Sequence, residues 1–465
     1  MNKAPSIKTF AKASAFLGCG AAGFLMFPPY NLWLFGFVYF SALYRACLAA
    51  KGPRQAFRRA WIYSFATNIG AYVWLVHPFS FIGLGWLGWI AMPAGAAFLA
   101  LYGGLAGMAA KRGALAFAAA WALAEWARGW LFSGFPWNPV AAVWSETPAV
   151  LQALSLAGTY GLSFLSVFVF VLRRSVVPSL AALGVLAFGL LRMEEAASSG
   201  RKVRIANLES ETPLNSDPNN IFRLALLSKA EGWEDVDLFV WPESAIAADP
   251  TIDTGALSFL AAENNLKSAI AFGFNRHEIH DGQVEIFNSM GVVSRAGIQA
   301  VYDKKHLVPF GEFVPWRWFL PIKKFTEGMR DFSPGEGPFA IEINGSRAAA
   351  LICYEIIFPG LRLGSGEEYI ITISNDVWFG ESGKAQHYAL AKMRAAEEGV
   401  PVVRAANSGF SAVIDPYGRE AKALRGQGVL DADMPRRIGR TPFSRTGNLP
   451  IAMLLILIVA ARRKK

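Results

Sequence analysis

The first 192 residues of this 465-residue chain hold only two acids, Glu125 and Glu146, among long apolar runs. In lipid, backbone polar groups must be satisfied within the segment, so such runs can cross a bilayer only as helices. A spanning helix needs ~20 mostly apolar residues to cross a core ~30 Å thick. Seven candidate spans precede residue 193, roughly 12–28, 31–50, 60–79, 84–109, 113–132, 156–172 and 175–192. An eighth runs roughly 447–461. The expected architecture is therefore a multi-span α-helical membrane bundle of about eight spans, interrupted by one large polar insertion.

The loops between the runs set an orientation. Lys3, Lys8 and Lys12 precede the first run, and Arg45, Lys51, Arg54, Arg58 and Arg59 lie between the second and third. Lys111 and Arg112, then Arg173 and Arg174, occupy the next alternate loops, and Arg462, Arg463, Lys464 and Lys465 end the chain. The other loops hold little more than Arg128 and Arg192. Basic residues favour cytoplasmic loops, so both termini are expected in the cytoplasm and residues 193–446 on the far side. This divides the chain into a bundle over 1–192, an extramembrane domain over 193–446 and a final span with a basic tail over 447–465. Lys3 to Lys12 also resembles the start of a signal peptide, and Phe16-Leu17-Gly18-Cys19 a lipoprotein cleavage box. The apolar stretch before Cys19 is short and the run continues past it, so the span reading is kept. The net charge of +10 arises at the ends of apolar runs, and no basic stripe is interleaved with aromatics, so nucleic acid is not an expected partner. In the fifth run, Glu125 and Arg128 share one helix face, as either an intramembrane functional pair or a structural one.

The insertion reads differently. Short β-branched runs recur at Val203–Leu208, Leu238–Trp241, Ser268–Phe274, Met290–Val293, Ala348–Cys353, Tyr369–Ser374, Val400–Ala405 and Ser411–Ile414. Most are continuously apolar, as strands buried on both faces are. Helical stretches at Phe222–Gly232, Gly255–Asn264 and Ala385–Glu398 alternate with some of them, which predicts an α/β domain. Glu243 and Cys353 fall at the ends of runs, where such domains place their chemistry.

Of three cysteines, Cys19 and Cys47 lie in or beside apolar runs and act as small hydrophobes. Cys353 is unpaired in a domain expected outside the cytoplasm, where a free thiol needs a reason. A thiolate is a strong nucleophile and a thioester a good acyl donor, but a thiol near pKa ~8.5 needs a base at neutral pH. Glu243 is the candidate base. A lysine in Tyr302-Asp303-Lys304-Lys305-His306 is the candidate oxyanion stabiliser, and the sequence alone leaves Lys304 and Lys305 open. A Cys–His scheme with His306 or His387 is the competing arrangement. Glu312 could orient the ammonium, Glu355 could restrain the loop beside Cys353, and Trp378 and Phe379 could gate an acyl chain. His277 and His280 are one residue short of a zincin spacing, and no metal or organic cofactor is expected.

Several stretches together carry a resemblance: WPESAI over Trp241–Ile246, YDKKHLVPFGEFVP over Tyr302–Pro315, ICYEI over Ile352–Ile356, ISNDVWFG over Ile373–Gly380 and TPFSRTGNLP over Thr441–Pro450. AEWARGWLFSGFPW over Ala124–Trp137 adds to it. The insertion resembles the nitrilase, or carbon–nitrogen hydrolase, superfamily, and the whole chain resembles the bacterial apolipoprotein N-acyltransferases. The resemblance implies an αββα sandwich and a triad of Glu243 as base, Lys304 at the oxyanion and Cys353 as nucleophile. It also implies supporting roles for Asn288, Glu312, Tyr354, Glu355 and Trp378. By the same resemblance the chain sits in the bacterial inner membrane with its catalytic domain periplasmic. The resemblance further implies that it takes an acyl chain from a phospholipid and passes it to the N-terminal amine of diacylglyceryl-cysteine apolipoproteins. Ala206-Asn207-Leu208 stands where the family often has Gln-Gly-Asn, Asn215-Ser216-Asp217-Pro218 lacks a common Lys-Trp pair, and Phe443 and Leu449 replace Tyr and Trp. A membrane-tethered amidase or nitrilase, which gives its thioester to water, shares the triad and is the alternative. A transporter is the other class, and the scarcity of ionisable groups in the runs argues against it.

Overall fold

The computed structural model describes residues 18–172, 175–210, 217–315, 317, 318, 324, 330–337, 339–363 and 366–461. The basic N-terminal residues, Phe16 and Leu17, Arg173 and Arg174, Asn215 and Ser216, and the basic tail lie outside them. The chain forms two compact units. One comprises Met1–Met193, Glu381–Ala389 and Arg445–Lys465, and the other Glu194–Gly380 and Leu390–Ser444.

The first unit is helical. Its longer described helices are Phe35–Leu48, Pro53–Ala71, Gly85–Gly107, Ala114–Arg128, Leu154–Val171, Val176–Arg192 and Leu449–Ala460. Their core is aromatic, with Tyr39, Phe40, Tyr63, Phe117 and Phe170 buried in one cluster. The 53–71 and 85–107 helices approach closely because the second presents glycines. A Cβ on Gly104 would lie 2.8 Å from the Phe57 ring, and Gly103 and Gly107 face Ser64 and Ala60 in the same way. Small residues at such contacts are how helices pack without a hydrophobic driving force.

Among the described residues, two helices are long and apolar enough to cross a membrane, Gly85–Arg112 and Leu154–Val171. Phe35–Leu48, Val176–Arg192 and Leu449–Ala460 are apolar but shorter. The expected run over 60–79 is instead the helix Pro53–Ala71, which begins at a proline in its first turn and stops before Tyr72. The run over 113–132 stops at Arg128, and Phe132 and Ser133 take positive φ values of 55° and 72°. The described part of the first run is a short helix passing into a 3₁₀ turn over Ala22–Met26.

The second unit holds two six-stranded sheets. The first has the order β12 (Gly428–Pro435), β1 (Ser198–Asn207), β2 (Leu238–Val240), β3 (Ala269–His280), β4 (Gln283–Ser294), β5 (Gly297–Asp303). The second runs β11 (Glu420–Arg425), β10 (Phe410–Ile414), β9 (Val402–Asn407), β8 (Glu367–Asn375), β7 (Ser346–Ile352), β6 (Ala340–Ile343). In each sheet the apolar centre is a parallel trio, β1–β2–β3 and β7–β8–β9, flanked by antiparallel strands. The sheets face each other, β1 against β9 and β10, and β4 against β7. The Asn220–Ser228 and Thr254–Glu263 helices cover the first sheet through Leu224 and Leu260, which share a core with Phe239 and Phe272.

Strands β5, β6, β11 and β12 were not expected from the sequence. They carry exposed polar residues, as in Glu-Ala-Lys-Ala-Leu-Arg of β11, so no apolar run announces them. β3 and β4 also extend past their apolar halves into an exposed hairpin, turned by Asp281 and Gly282 with φ of 49° and 73°. Two positive φ values in a two-residue turn match the twist of a hairpin. His277 and His280 sit on this arm. Each lies near an acid, Asp249 and Asp281 respectively.

Candidate active site

The site gathers where four strands of the second unit end. Glu243 follows β2, and its placement depends on Gly273 in β3. A Cβ there would lie 2.5 Å from the Ser244 nitrogen and 2.6 Å from the Glu243 Cα. Lys304 follows β5 directly, with its amide donating to the Asn288 carbonyl of β4 at 2.9 Å. Cys353 follows β7 at the first position of a 3₁₀ turn and takes φ 51°. A left-handed conformation costs a non-glycine residue ~1–2 kcal/mol, and here it turns the thiol sharply off the strand end.

The polar groups form one buried network. The Lys304 ammonium lies 2.9 Å from Glu312 Oε1 and 3.5 Å from Glu243 Oε1. Asn288 Nδ2 donates to the same two oxygens at 2.8 and 2.7 Å. The Asn375 amide, at the end of β8, donates to Glu243 Oε2 at 2.7 Å, and the Val308 amide to Glu312 Oε2 at 2.8 Å. Both carboxylates are thus fixed in plane by donors from several elements. Lys304 is 1% exposed, Glu312 4% and Glu243 5%, so these charges interact with little screening by water.

Titration behaviour follows from that burial. Desolvation pushes the Cys353 thiol well above its ordinary value; the Glu243 charge adds to the rise and Lys304 opposes it. At rest Cys353 is therefore a thiol, and any attack by its sulfur needs a base. For Lys304, burial works against the charged form, but Glu312 and Glu243 outweigh it and hold the ammonium protonated above the usual range.

Glu355 faces inward. Its Oε2 accepts the Ile352 amide at 2.8 Å, just before Cys353. Its Oε1 accepts the Tyr302 hydroxyl at 2.7 Å and the amides of Lys305 and His306 at 2.8 and 3.2 Å. One carboxyl thereby ties the Cys353 turn to the segment carrying Lys304. Burial raises its pKa, against the pull of those donors. Tyr354 is buried beside Cys353 with its ring edge-on to Phe358, and Trp378 is half-buried in the 3₁₀ turn Asp376–Phe379.

The structure separates the candidates that the sequence left open. The Lys305 ammonium lies over the Phe339 ring, while Lys304 enters the network. The His306 ring stacks on Phe358 at 4.6 Å, with its pKa lowered by burial and then by Lys305. His387 belongs to the helical unit and stacks on Trp137. Among the described residues no cluster of His, Cys, Asp and Glu is arranged to hold a metal ion. Sequence reasoning missed the end of β8. The Asn375 amide holds Glu243, and Ser374 and Asp376 adjoin the thiol. Backbone donors leave no mark in a sequence, although the Asn375-Asp376 pair after an apolar run was visible.

Residues 19–172 match the apolipoprotein N-acyltransferase N-terminal domain and residues 202–442 the carbon-nitrogen hydrolase family. An apolipoprotein N-acyltransferase of Rhodopseudomonas palustris is 31% identical, over 96% of this chain and 94% of its own. The chain belongs to the apolipoprotein N-acyltransferase family. Apolipoprotein N-acyltransferases of Bradyrhizobium diazoefficiens, at 35% identity over 75% of this chain and 73% of that one, and of Brucella melitensis, at 31% over 96% and 94%, are similar in the same way. All three triad candidates fall within the residues that match the carbon-nitrogen hydrolase family.

Proposed function

We propose that the chain moves an acyl group from a phospholipid to the N-terminal amine of a diacylglyceryl-cysteine apolipoprotein, through a thioester on Cys353. The observation that carries this reading is the burial of one carboxylate, one ammonium and one thiol in mutual electrostatic contact. The thiol is held protonated at rest, so attack on the ester carbonyl requires Glu243 to take its proton as the S–C bond forms. Lys304 faces the developing oxyanion, and one such donor is worth ~3–4 kcal/mol. The tetrahedral intermediate then collapses. The ester C–O bond breaks, Glu243 returns the proton to the leaving glycerol oxygen, and a lysophospholipid departs. In the second half the amine attacks the thioester, its proton passes through Glu243 to the sulfur, and an amide forms.

Glu312 and Asn288 orient Lys304 and Glu243, and Glu355 holds the Cys353 turn in register with the Lys304 segment. Tyr354, next to Cys353 in its turn, and Trp378, in the turn after β8, are assigned to the acyl chain. Burial favours the amine over water as acceptor, since water excluded from the site does not compete for the thioester. A membrane-tethered amidase shares the triad, and the apolar helical unit is what favours lipid substrates over a soluble amide.

Both proposed substrates are lipid-anchored, which gives the helical unit its purpose. The apolar helices and the alternation of basic loops support a multi-pass protein of the bacterial inner membrane with about eight spans. The bundle is assigned to 1–192, the periplasmic catalytic domain to 193–446 and the last span with its cytoplasmic tail to 447–465. Steady-state kinetics with phospholipid and a diacylglyceryl peptide test the scheme. Ping-pong exchange gives parallel double-reciprocal lines; intersecting lines, or steady release of free fatty acid without the peptide, would count against it.

A further inference from the structure

Ser374 takes no part in the steps above, yet it stands beside the nucleophile. Ile352 pairs with Ile373 across β7 and β8, so the register carries Cys353 and Ser374 off the sheet as neighbours. The Ser374 hydroxyl is within hydrogen-bonding reach of the Cys353 thiol, and it donates to Asp376 Oδ1 at 2.6 Å. Asp376 Oδ2 accepts from Arg404 at 2.6 Å, and Arg404 Nε donates to the Phe410 carbonyl at 3.2 Å. Ser374, Asp376 and Arg404 are all fully buried. Gly409 closes the far side, because a Cβ there would lie 2.6 Å from the Asp376 Cβ.

A hydroxyl carries a single proton. While Cys353 is a thiol, that proton is engaged by Asp376. Once the thiol proton has passed to Glu243, an anionic sulfur lies beside the same hydroxyl. Rotation about the Ser374 Cβ–Oγ bond turns the proton to the sulfur without breaking a covalent bond. Asp376 keeps Arg404, so its charge stays compensated. The charged groups acting on Cys353 are Glu243 after β2, Lys304 after β5 and Asp376 after β8; Glu312 pairs with Lys304, and Glu355, in the same turn as Cys353, accepts the Ile352 amide. Among the described residues only Lys304 is cationic at the triad, and it is shared between two carboxylates. A thiolate there gains from a further donor.

We propose that Ser374 is a switching hydroxyl that stabilises the Cys353 thiolate, with the Asp376–Arg404 pair as its resting acceptor. The proposal rests on the reading of Cys353 as nucleophile and adds a positioning residue to it. The test is the pH profile of iodoacetamide alkylation at Cys353 in the full-length protein, read by mass spectrometry of the Cys353 peptide. S374A and S374V lack the hydroxyl, and S374T keeps it at the size of valine. Losing a hydrogen bond to a charged group slows alkylation at fixed pH roughly tenfold to hundredfold. The expected S374A and S374V profiles are therefore displaced to higher pH, with S374T faster than S374V by that factor. An S374A profile that overlays the native one, or equal rates for S374T and S374V, would overturn the proposal. Failure of the acyl-transfer reading shows separately, as native protein that takes no acyl mass from phospholipid while its alkylation profile still reports on Ser374.

Discussion

The Lys304 ammonium lies closer to Glu312, at 2.9 Å, than to Glu243, at 3.5 Å. Glu312 is thus its first counter-ion, and Glu243 remains available to take a proton. In E312Q the ammonium has one full carboxylate left, and it competes for the Glu243 oxygen proposed to act as base. The expected result is a kcat lower by roughly two to three orders of magnitude, comparable to losing an oxyanion donor. KM for phospholipid changes little. Steady-state transfer from a fluorescent phospholipid measures both, below the melting temperature of the variant.

Gly273 is the clearest steric requirement near Glu243, the proposed base. In G273A the new methyl meets the backbone of Glu243 and Ser244, and strand or loop must move. A shift of ~1 Å in a catalytic group costs about a hundredfold in rate. The expected protein transfers acyl groups about a hundredfold more slowly while Cys353 still alkylates, since the thiol itself is not displaced. Parallel alkylation and transfer assays check this.

Glu355 and Tyr302 join the two halves of the site. Y302F removes one hydrogen bond to a buried carboxyl, for an expected loss of about 2 kcal/mol of stability. E355A strands the amides of Ile352, Lys305 and His306 together, and the expected loss is larger than that of Y302F. Thermal melts of the two variants rank them, and E355A melting at or above Y302F would contradict the role given to Glu355.

Glu398 supplies a pH dependence away from the chemistry. Burial, then the neighbouring Glu397, pushes its pKa up to about 7 from an ordinary 4.5, against the pull of Arg394. Its oxygens accept the Arg362 and Leu363 amides. The folded state binds this proton more tightly than the unfolded one. The stabilisation is complete below pH 4.5 and is lost as pH rises through about 7. Its size is roughly 3 kcal/mol. E398Q is expected to flatten the fall in melting temperature across neutrality, and melts on either side of pH 7 show whether it does.

Much of the layout was legible from a few residues. Val203, Leu238, Ala348 and Tyr369 open apolar runs because their strands are buried on both faces, and a buried sheet centre leaves that pattern. The charged outer strand β11 leaves no such pattern, because a solvated strand needs no apolar face. Glu243 and Cys353 could be placed at strand ends. The resemblance chose Lys304 over Lys305, and the physical ground for that choice lies in tertiary contacts to Glu312 and Phe339 that residue spacing does not show. Helix ends in the first unit were misplaced at Pro53 and Phe132, where a proline in the first turn and a positive φ outweigh hydrophobicity. The contact of Ser374 depends on register between β7 and β8, and that of the Asn375 amide with Glu243 on how one sheet packs on the other, neither of which a single strand encodes.

Mass spectrometry of Cys353 after incubation with phospholipid, in the absence of any amine acceptor, bears on everything proposed for the site. The expected result is an acyl mass on the Cys353 peptide that disappears when a diacylglyceryl peptide is added, together with no transfer by C353A. Transfer that persists in C353A, with no acyl mass on the native cysteine, would contradict the thioester mechanism.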